Sequence, residues 1–312
     1  MDNKKSQYIT KTNSTYWMGI ATIFILFLHL GQNDSPHFLH KLILYIFNDV
    51  NIGVNIFFFL SAYGCCHSWR LNKPKNFYIN RFKRLYPMML AFMISSYFVN
   101  ATFNINTFIF DMICHASGIS LFYNAHFHDW FTPAIVLMYI SFPLLFKAIK
   151  SIYNLRGGDY LIALSAIVPS LLLVFLQPFV YELVFPRIGM VISAIAVFLA
   201  EQDNQKRKIA KIVVLYFFIS ITSIVRNSYL IVPCIILFAS KYNIRPFGEK
   251  WISFLGKHSL EIYLAQCLWV FEFDYESGNY VYTLCESLLI MSITAFVIWA
   301  IQHYSWKLFA NL

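Results

Sequence analysis

The residues of this chain best suited to chemistry are one histidine and a pair of arginines. His29 stands in "GIATIFILFLHLGQ", residues 19–32, as the one ionisable side chain of an otherwise apolar run. An ionisable group at membrane depth costs about 2.5 kcal/mol or more and is a functional candidate by default. Imidazole titrates near neutrality, so His29 can act as a general base. It can equally bond a neighbouring helix or sit near the outer interface. Arg81 and Arg84 lie three apart in "RFKRLYP", which puts both guanidiniums on one helix face. A guanidinium fork matches phosphate oxygens in pairs. The plainer alternative is basic anchoring at a cytosolic membrane edge.

Other polar residues are less pointed. Arg187 in "FPRIGMVI" and Arg226 in "IVRNSYL" fall outside the basic clusters, so each is expected to pair or to snorkel. Glu182 is the local partner for Arg187, and Lys257 is the i−4 neighbour of Glu261. The segment "CHASGISLFYNAHFHDWF" holds His115, His126, His128 and Asp129, but their spacing matches no metal motif. No metal site is expected. An outer acceptor pocket suits this segment better, with Trp130 and its aromatic neighbours stacking on a sugar. None of the six cysteines forms a C-x-x-C pair, and five lie in apolar runs as small hydrophobes, so no disulfide framework is expected.

The elements that must position these residues are membrane helices. The 312 residues are 59% hydrophobic and 12% charged, with mean hydropathy +0.58. Soluble domains carry about a quarter charged residues, so a soluble helical protein is disfavoured. Apolar windows of spanning length predict about ten transmembrane helices, near 15–33, 50–68, 85–103, 130–147, 160–177, 186–200, 209–225, 228–240, 252–271 and 281–303. All of the 24 Lys and Arg except Lys41, Arg187 and Arg226 then fall in alternate loops, in the two tails or at Lys257. The positive-inside rule places those loops and both termini in the cytoplasm. The opening "MDNKKSQYITK" lacks a small-residue cleavage site, so the first span is expected to be retained. The net charge of +9 sits in short clusters between apolar runs, which argues against nucleic acid. Nothing marks a second domain, and residues 1–312 are read as one all-α transmembrane unit. Counting from Tyr16 at the inner edge, His29 lies roughly 20 Å along the first helix, past the midplane of a core about 30 Å thick. Thr22 shares its face.

The ordered set of segments resembles the membrane acyltransferase-3 family, which includes bacterial O-acetyltransferases of surface polysaccharides. In "MGIATIFILFLH", His29 takes the place of the family's essential histidine, while Met18 stands where an arginine is expected. "IGVNIFFFLSAY" is similar to a Gly-Val-Asp-Leu-Phe-Phe run ending Leu-Ser-Gly-Phe. Gly53, Val54, Phe57, Phe58, Leu60 and Ser61 agree, whereas Asn55 and Ala62 depart. "RFKRLYP" is similar to the paired-arginine motif with its following proline. "HDWFTPAIVLMYISFP" resembles the His-x-Trp segment through His128, Trp130, Tyr139 and Pro143, with Ile135 and Val136 where some members carry glutamates. Weaker likenesses lie in "PRIGMVISAI" and "LGKHSLEIYLAQ", where many members end in His rather than Gln266.

The resemblance implies an O-acyltransferase that takes an acyl group, most often acetyl, from cytosolic acyl-CoA. The acceptor it implies is a hydroxyl of a cell-surface or lipid-linked glycan. His29 is the implied catalytic base or acyl relay, and Arg81 with Arg84 the implied anchor for donor phosphates. Ser61, His128, Trp130, Tyr139, Arg187 and Arg226 are implied as supporting or acceptor-pocket residues. Arg187 or Arg226 can stand in for the arginine missing at Met18, or this branch lacks the requirement, or its activity is degenerate. No resident cofactor is implied, the partners are acyl-CoA, the glycan and the lipid bilayer, and the oligomeric state is open. A bacterial cytoplasmic-membrane location follows. Two other classes share these features: a transporter or flippase of a glycan precursor, and an inactive scaffold of an assembly complex. The paired Gly/Pro-interrupted spans typical of transporters were not found.

Overall fold

The computed structural model describes residues 9–31, 38, 41–42, 52–71, 74–99, 104–122, 129–176, 184–203, 205–221, 230–246, 248–269 and 280–310. Helix is the only regular structure among them. The helices are α1 (Lys11–Gly31), α2 (Ile52–Leu71), α3 (Pro74–Val99) and α4 (Ile105–Ser117), followed by a 3-10 turn (Ile119–Phe122). Then come α5 (Phe131–Tyr153), α6 (Gly158–Leu176), α7 (Val184–Gln202), α8 (Lys206–Ile221), α9 (Ile231–Lys241), α10 (Glu249–Lys257), α11 (Ser259–Trp269) and α12 (Tyr280–Ala310). Lipid offers a backbone no hydrogen-bond partner, so such apolar stretches close their bonds within helices. Three described segments are long and apolar enough to cross a membrane: Lys11–Leu30, Phe131–Tyr153 and Val281–Tyr304.

Each of the ten expected windows is helical over most of its described residues, with two differences from expectation. The window 252–271 is two helices, α10 and α11, joined at His258, whose N–H is shared between the carbonyls of Phe254 and Leu255. The helix α4 was not expected at all. Its ends carry ordinary signals. Asn104 caps the N-terminus by accepting from the N–H groups of Asn106 and Thr107, and Gly118 closes the C-terminus at φ 80°. A Cβ at Gly118 would also lie 2.5 Å from Leu137 Cγ. At 13 residues α4 is about 20 Å long, too short to span. It buries Phe108, Asp111, Cys114 and His115 and exposes Ile105, Ile109, Phe110 and Ile113.

The described helices fall into two compact units that interleave along the chain. The first comprises Met1–Met18, Val54–Pro74 and Met138–Ser253. Its centre is α7, packed against α6, α8 and α9. Small residues (Gly189, Ser193, Ala194, Ala196 and Ala200) let the neighbouring helices close in, and the run from Met190 to Ala200 is buried throughout. The Ser193 hydroxyl donates to the Gly189 carbonyl, which satisfies it inside its own helix. Arg245 binds both Glu249 and the side-chain oxygen of Asn13, tying the start of α1 to the α9–α10 connection.

The second unit comprises Gly19–Gly53, Lys75–Leu137 and Phe254–Leu312. Here α12 runs antiparallel to α1, with Leu284 beside Leu30 and Met291 in the cluster that takes Leu26. Ala265 of α11 shares that cluster with Trp269. The start of α2 closes on α1 from another side. A Cβ at Gly53 would sit 2.6 Å from the Ala21 carbonyl oxygen and 2.8 Å from Ile25 Cγ1. Only glycine permits that approach. Gly53→Ala is therefore expected to displace α1 and destabilise the protein by about 1–3 kcal/mol. The control is Gly64→Ala on the same helix, where the added methyl meets nothing within 4 Å and stability holds or rises slightly. Thermal unfolding of the purified variants in detergent checks both.

Candidate active site

In the second unit, polar and aromatic side chains of α1, α4 and α5 lie near α11. His29 lies on the last turn of α1, half-buried, with its ring 6.2 Å from that of Tyr263. Leu26, one turn earlier, packs in the cluster of Ala265, Met291 and Trp269, so the turn that carries His29 is fastened to α11 and α12. Tyr263 is buried and also meets Phe131 edge-on at 5.1 Å. Its phenol and the Cys267 thiol lie within electrostatic reach of the Asp129 carboxylate.

Asp129 is the hub of this group. One carboxylate oxygen accepts from the Thr132 N–H at 2.9 Å and so caps α5. The other lies 3.2 Å from His115 Nε2. The opposite ring nitrogen of His115 faces the Ser120 hydroxyl at 3.5 Å. His115 and Asp129 are both buried, which makes this a buried polar network, and His115, Ser120 and Asp129 all come from the segment read as an outer pocket. Close by on α4, Asp111 accepts from the Tyr97 hydroxyl at 2.5 Å.

A second polar cluster sits at the start of α11. The buried Glu261 lies 3.8 Å from His258, and Arg84 is close enough to attract its carboxylate. The expected partner Lys257 is exposed instead, because the break at His258 separates it from the helix that carries Glu261. Arg84 is exposed, and its backbone carbonyl accepts from the Gln302 side chain at 3.4 Å. Arg81 holds its guanidinium 5.7 Å over the ring of buried Phe77. Arg81 and Arg84 thus share the first half of α3, with Arg84 meeting α11 and α12. His258 continues a row of rings through Phe254 at 4.8 Å and Trp299 at 6.3 Å, and Trp299 stacks on His303.

The remaining expected residues divide between the units and the undescribed segments. Trp130 is half-buried at the start of α5, edge-on to Phe131. Ser61, Tyr139 and Arg187 belong to the first unit: Ser61 and Tyr139 are half-buried, and Arg187 is buried near the start of α7. Near the other end of α7, Glu201 accepts from the Tyr63 hydroxyl, and His67 packs on Tyr63 and Phe198. Met18 is half-buried and shares the His29 face of α1, eleven residues back. His126, His128, Arg226 and Glu182 lie outside the described residues. Sequence reasoning singled out His29 and the arginine pair. It did not foresee the joining of His115 to Asp129, the place of Tyr263, or the burial of Gln266.

Removing the hub predicts a graded loss. Asp129→Ala forfeits the cap, worth about 1 kcal/mol, and leaves buried His115 with one fewer partner, costing a further 1–3 kcal/mol or so. Asp129→Asn keeps a capping oxygen and loses less. Denaturant unfolding followed by tryptophan fluorescence orders the three proteins as wild type, Asn and Ala.

No curated protein and no solved structure matches the chain. One family model does, that of the acyltransferase-3 family, described as an acyltransferase domain, over residues 16–304. That span takes in α1 with His29, the paired arginines of α3 and the whole of α11. The chain belongs to the acyltransferase-3 family and is an all-helical membrane acyltransferase.

Proposed function

We propose that this protein is an O-acyltransferase of the bacterial cytoplasmic membrane. It moves an acyl group, acetyl above all, from cytosolic acyl-CoA to a hydroxyl of a cell-surface or lipid-linked glycan. The observation that carries this reading is the placing of His29 against α11, the helix whose first turn meets Arg84. Donor phosphates pair with Arg81 and Arg84, whose forks present parallel N–H donors to phosphate oxygens. The thioester end of the donor then extends along α11 toward His29. His29 takes the proton of the acceptor hydroxyl as that oxygen attacks the thioester carbonyl, or accepts the acyl group itself before passing it on. Trp130, in the same unit as His29, offers a ring for a sugar face.

Two measurements test the reading with purified protein, acetyl-CoA and native envelope extract as the source of acceptor. His29→Ala is expected to lower acyl transfer by 10²-fold or more, about what a positioned general base supplies. Full transfer by that variant overturns its role. The double variant Arg81→Ala, Arg84→Ala is expected to raise the donor KM by about 10-fold or more, since a charge-assisted hydrogen bond contributes about 1.5–3 kcal/mol. An unchanged KM overturns the donor site. Mass spectrometry of the surface polysaccharide, with and without the protein, reports the group added and the residue that carries it.

A further inference from the structure

The most unusual side chain in the second unit is Gln266. It is wholly buried, at 0% exposure, and neither atom of its amide has a hydrogen-bond partner among the described residues. Buried amides are nearly always satisfied, because an orphaned donor and acceptor forfeit the hydration they had in water. In a membrane protein no solvent is at hand to relieve the defect. Such a group points to a partner that arrives with the substrate.

The direction in which Gln266 faces is set by its neighbours on α11. With 3.6 residues per turn, Tyr263, Gln266 and Trp269 form one row along the helix. Tyr263 meets the ring of His29, and Trp269 packs in the cluster that takes Leu26. His29 and Leu26 are three residues apart on α1, so they bracket one turn of it. Gln266 lies between Tyr263, which meets the His29 ring, and Trp269, which packs on the Ala265 and Met291 cluster that also takes Leu26. On its other side Cys267 is near Asp129, whose cap leaves the Thr132 hydroxyl as a second buried group without a partner.

We propose that Gln266 is the oxyanion-binding residue of acyl transfer. The inference rests on the acyl-CoA reading given above. As the acceptor oxygen attacks, its proton passes to His29 and a new C–O bond forms. The π pair of the thioester carbonyl moves onto its oxygen, and the Gln266 Nε2–H donates to that oxygen, with the Thr132 hydroxyl as a second donor. Collapse of the tetrahedral adduct restores the C=O bond and breaks the C–S bond. The CoA sulfur leaves with the proton from His29, giving an ester and a free thiol. A neutral amide suits this task because it is fixed in place, adds no charge to a lipid-embedded site, and acts most strongly where water is excluded.

The test is Gln266→Met, which keeps the length of the side chain and removes both polar atoms, with Gln266→Leu as a second apolar variant should methionine mispack. Free CoA thiol is followed with acetyl-CoA and native envelope extract. The expected result is a fall in kcat of about 10²–10³-fold with the donor KM unchanged, and a melting temperature equal to or above that of the wild type. Gln266→His, which restores an N–H donor, is expected to recover part of the rate. Unchanged kcat overturns the assignment. So does a rate loss that tracks a lowered melting temperature, which marks a packing role. If the wild-type protein releases no thiol, the acyl-CoA reading itself fails and this inference falls with it. A turning-over wild type with an unimpaired Gln266→Met protein sinks only the inference.

Discussion

Lipid supplies no hydrogen bonds, so a polar side chain carried into a bundle of apolar helices must be answered by another group of the same chain or by a ligand. The second unit of this protein obeys that constraint through Asp129. Its two carboxylate oxygens serve a helix cap and a buried histidine at once, and its charge reaches Tyr263 and Cys267 on α11. Two elements that are distant in sequence are thereby held together, α4 through His115 and α5 through Thr132, and α11 joins them where Tyr263 meets Phe131. The ring of Tyr263 carries the arrangement on to α1 and His29. Apolar packing of Leu26 and Leu30 against α11 and α12 supplies the remaining hold on that turn.

The helices themselves were legible because their apolar windows are long and their basic residues cluster between them. Departures arose where a signal was local and small. At His258 the ladder shifts for a single residue, which turns an expected span into two helices and gives Glu261 a histidine partner instead of Lys257. The helix α4 has both a capping asparagine and a closing glycine in its sequence, but 13 residues of mixed polarity do not register in a window of spanning length. Asn104 at its start and Gly118 at its end bound it.

Within the site, single residues were readable and their meetings were not. A histidine in an apolar run draws notice by its cost, and an arginine pair by its spacing. The contact of His115 with Asp129 joins residues that no helical periodicity relates, so only the fold can disclose it. Tyr263 and Gln266 are ordinary side chains in an apolar helix until burial is known. Gln266 drew attention in the sequence only as a departure from the histidine of related chains. In the structure its interest lies in its isolation.

The short helix α11 links the two ends of the proposed reaction. Its first turn carries Glu261 near Arg84 and His258, and its next turns carry Tyr263, which meets the His29 ring, and Gln266. Glu261 and Gln266 are five residues apart, about 7.5 Å along the axis. The break at His258 frees α11 from α10, so its angle is set by its contacts with α1, α5 and α12 rather than by the helix before it. A buried carboxylate near an arginine weakens as a phosphate site if the two stay paired, because each guanidinium donor given to Glu261 is withheld from a ligand. On the proposed reading, a donor phosphate at Arg84 would lie near the Glu261 carboxylate, which Arg84 attracts. On that reading, a ligand at Arg84 would bear on the helix that also holds Tyr263 and Gln266. Donor occupancy and the geometry at His29 would then be coupled, on the proposed reading, through this one element rather than through a long chain of contacts.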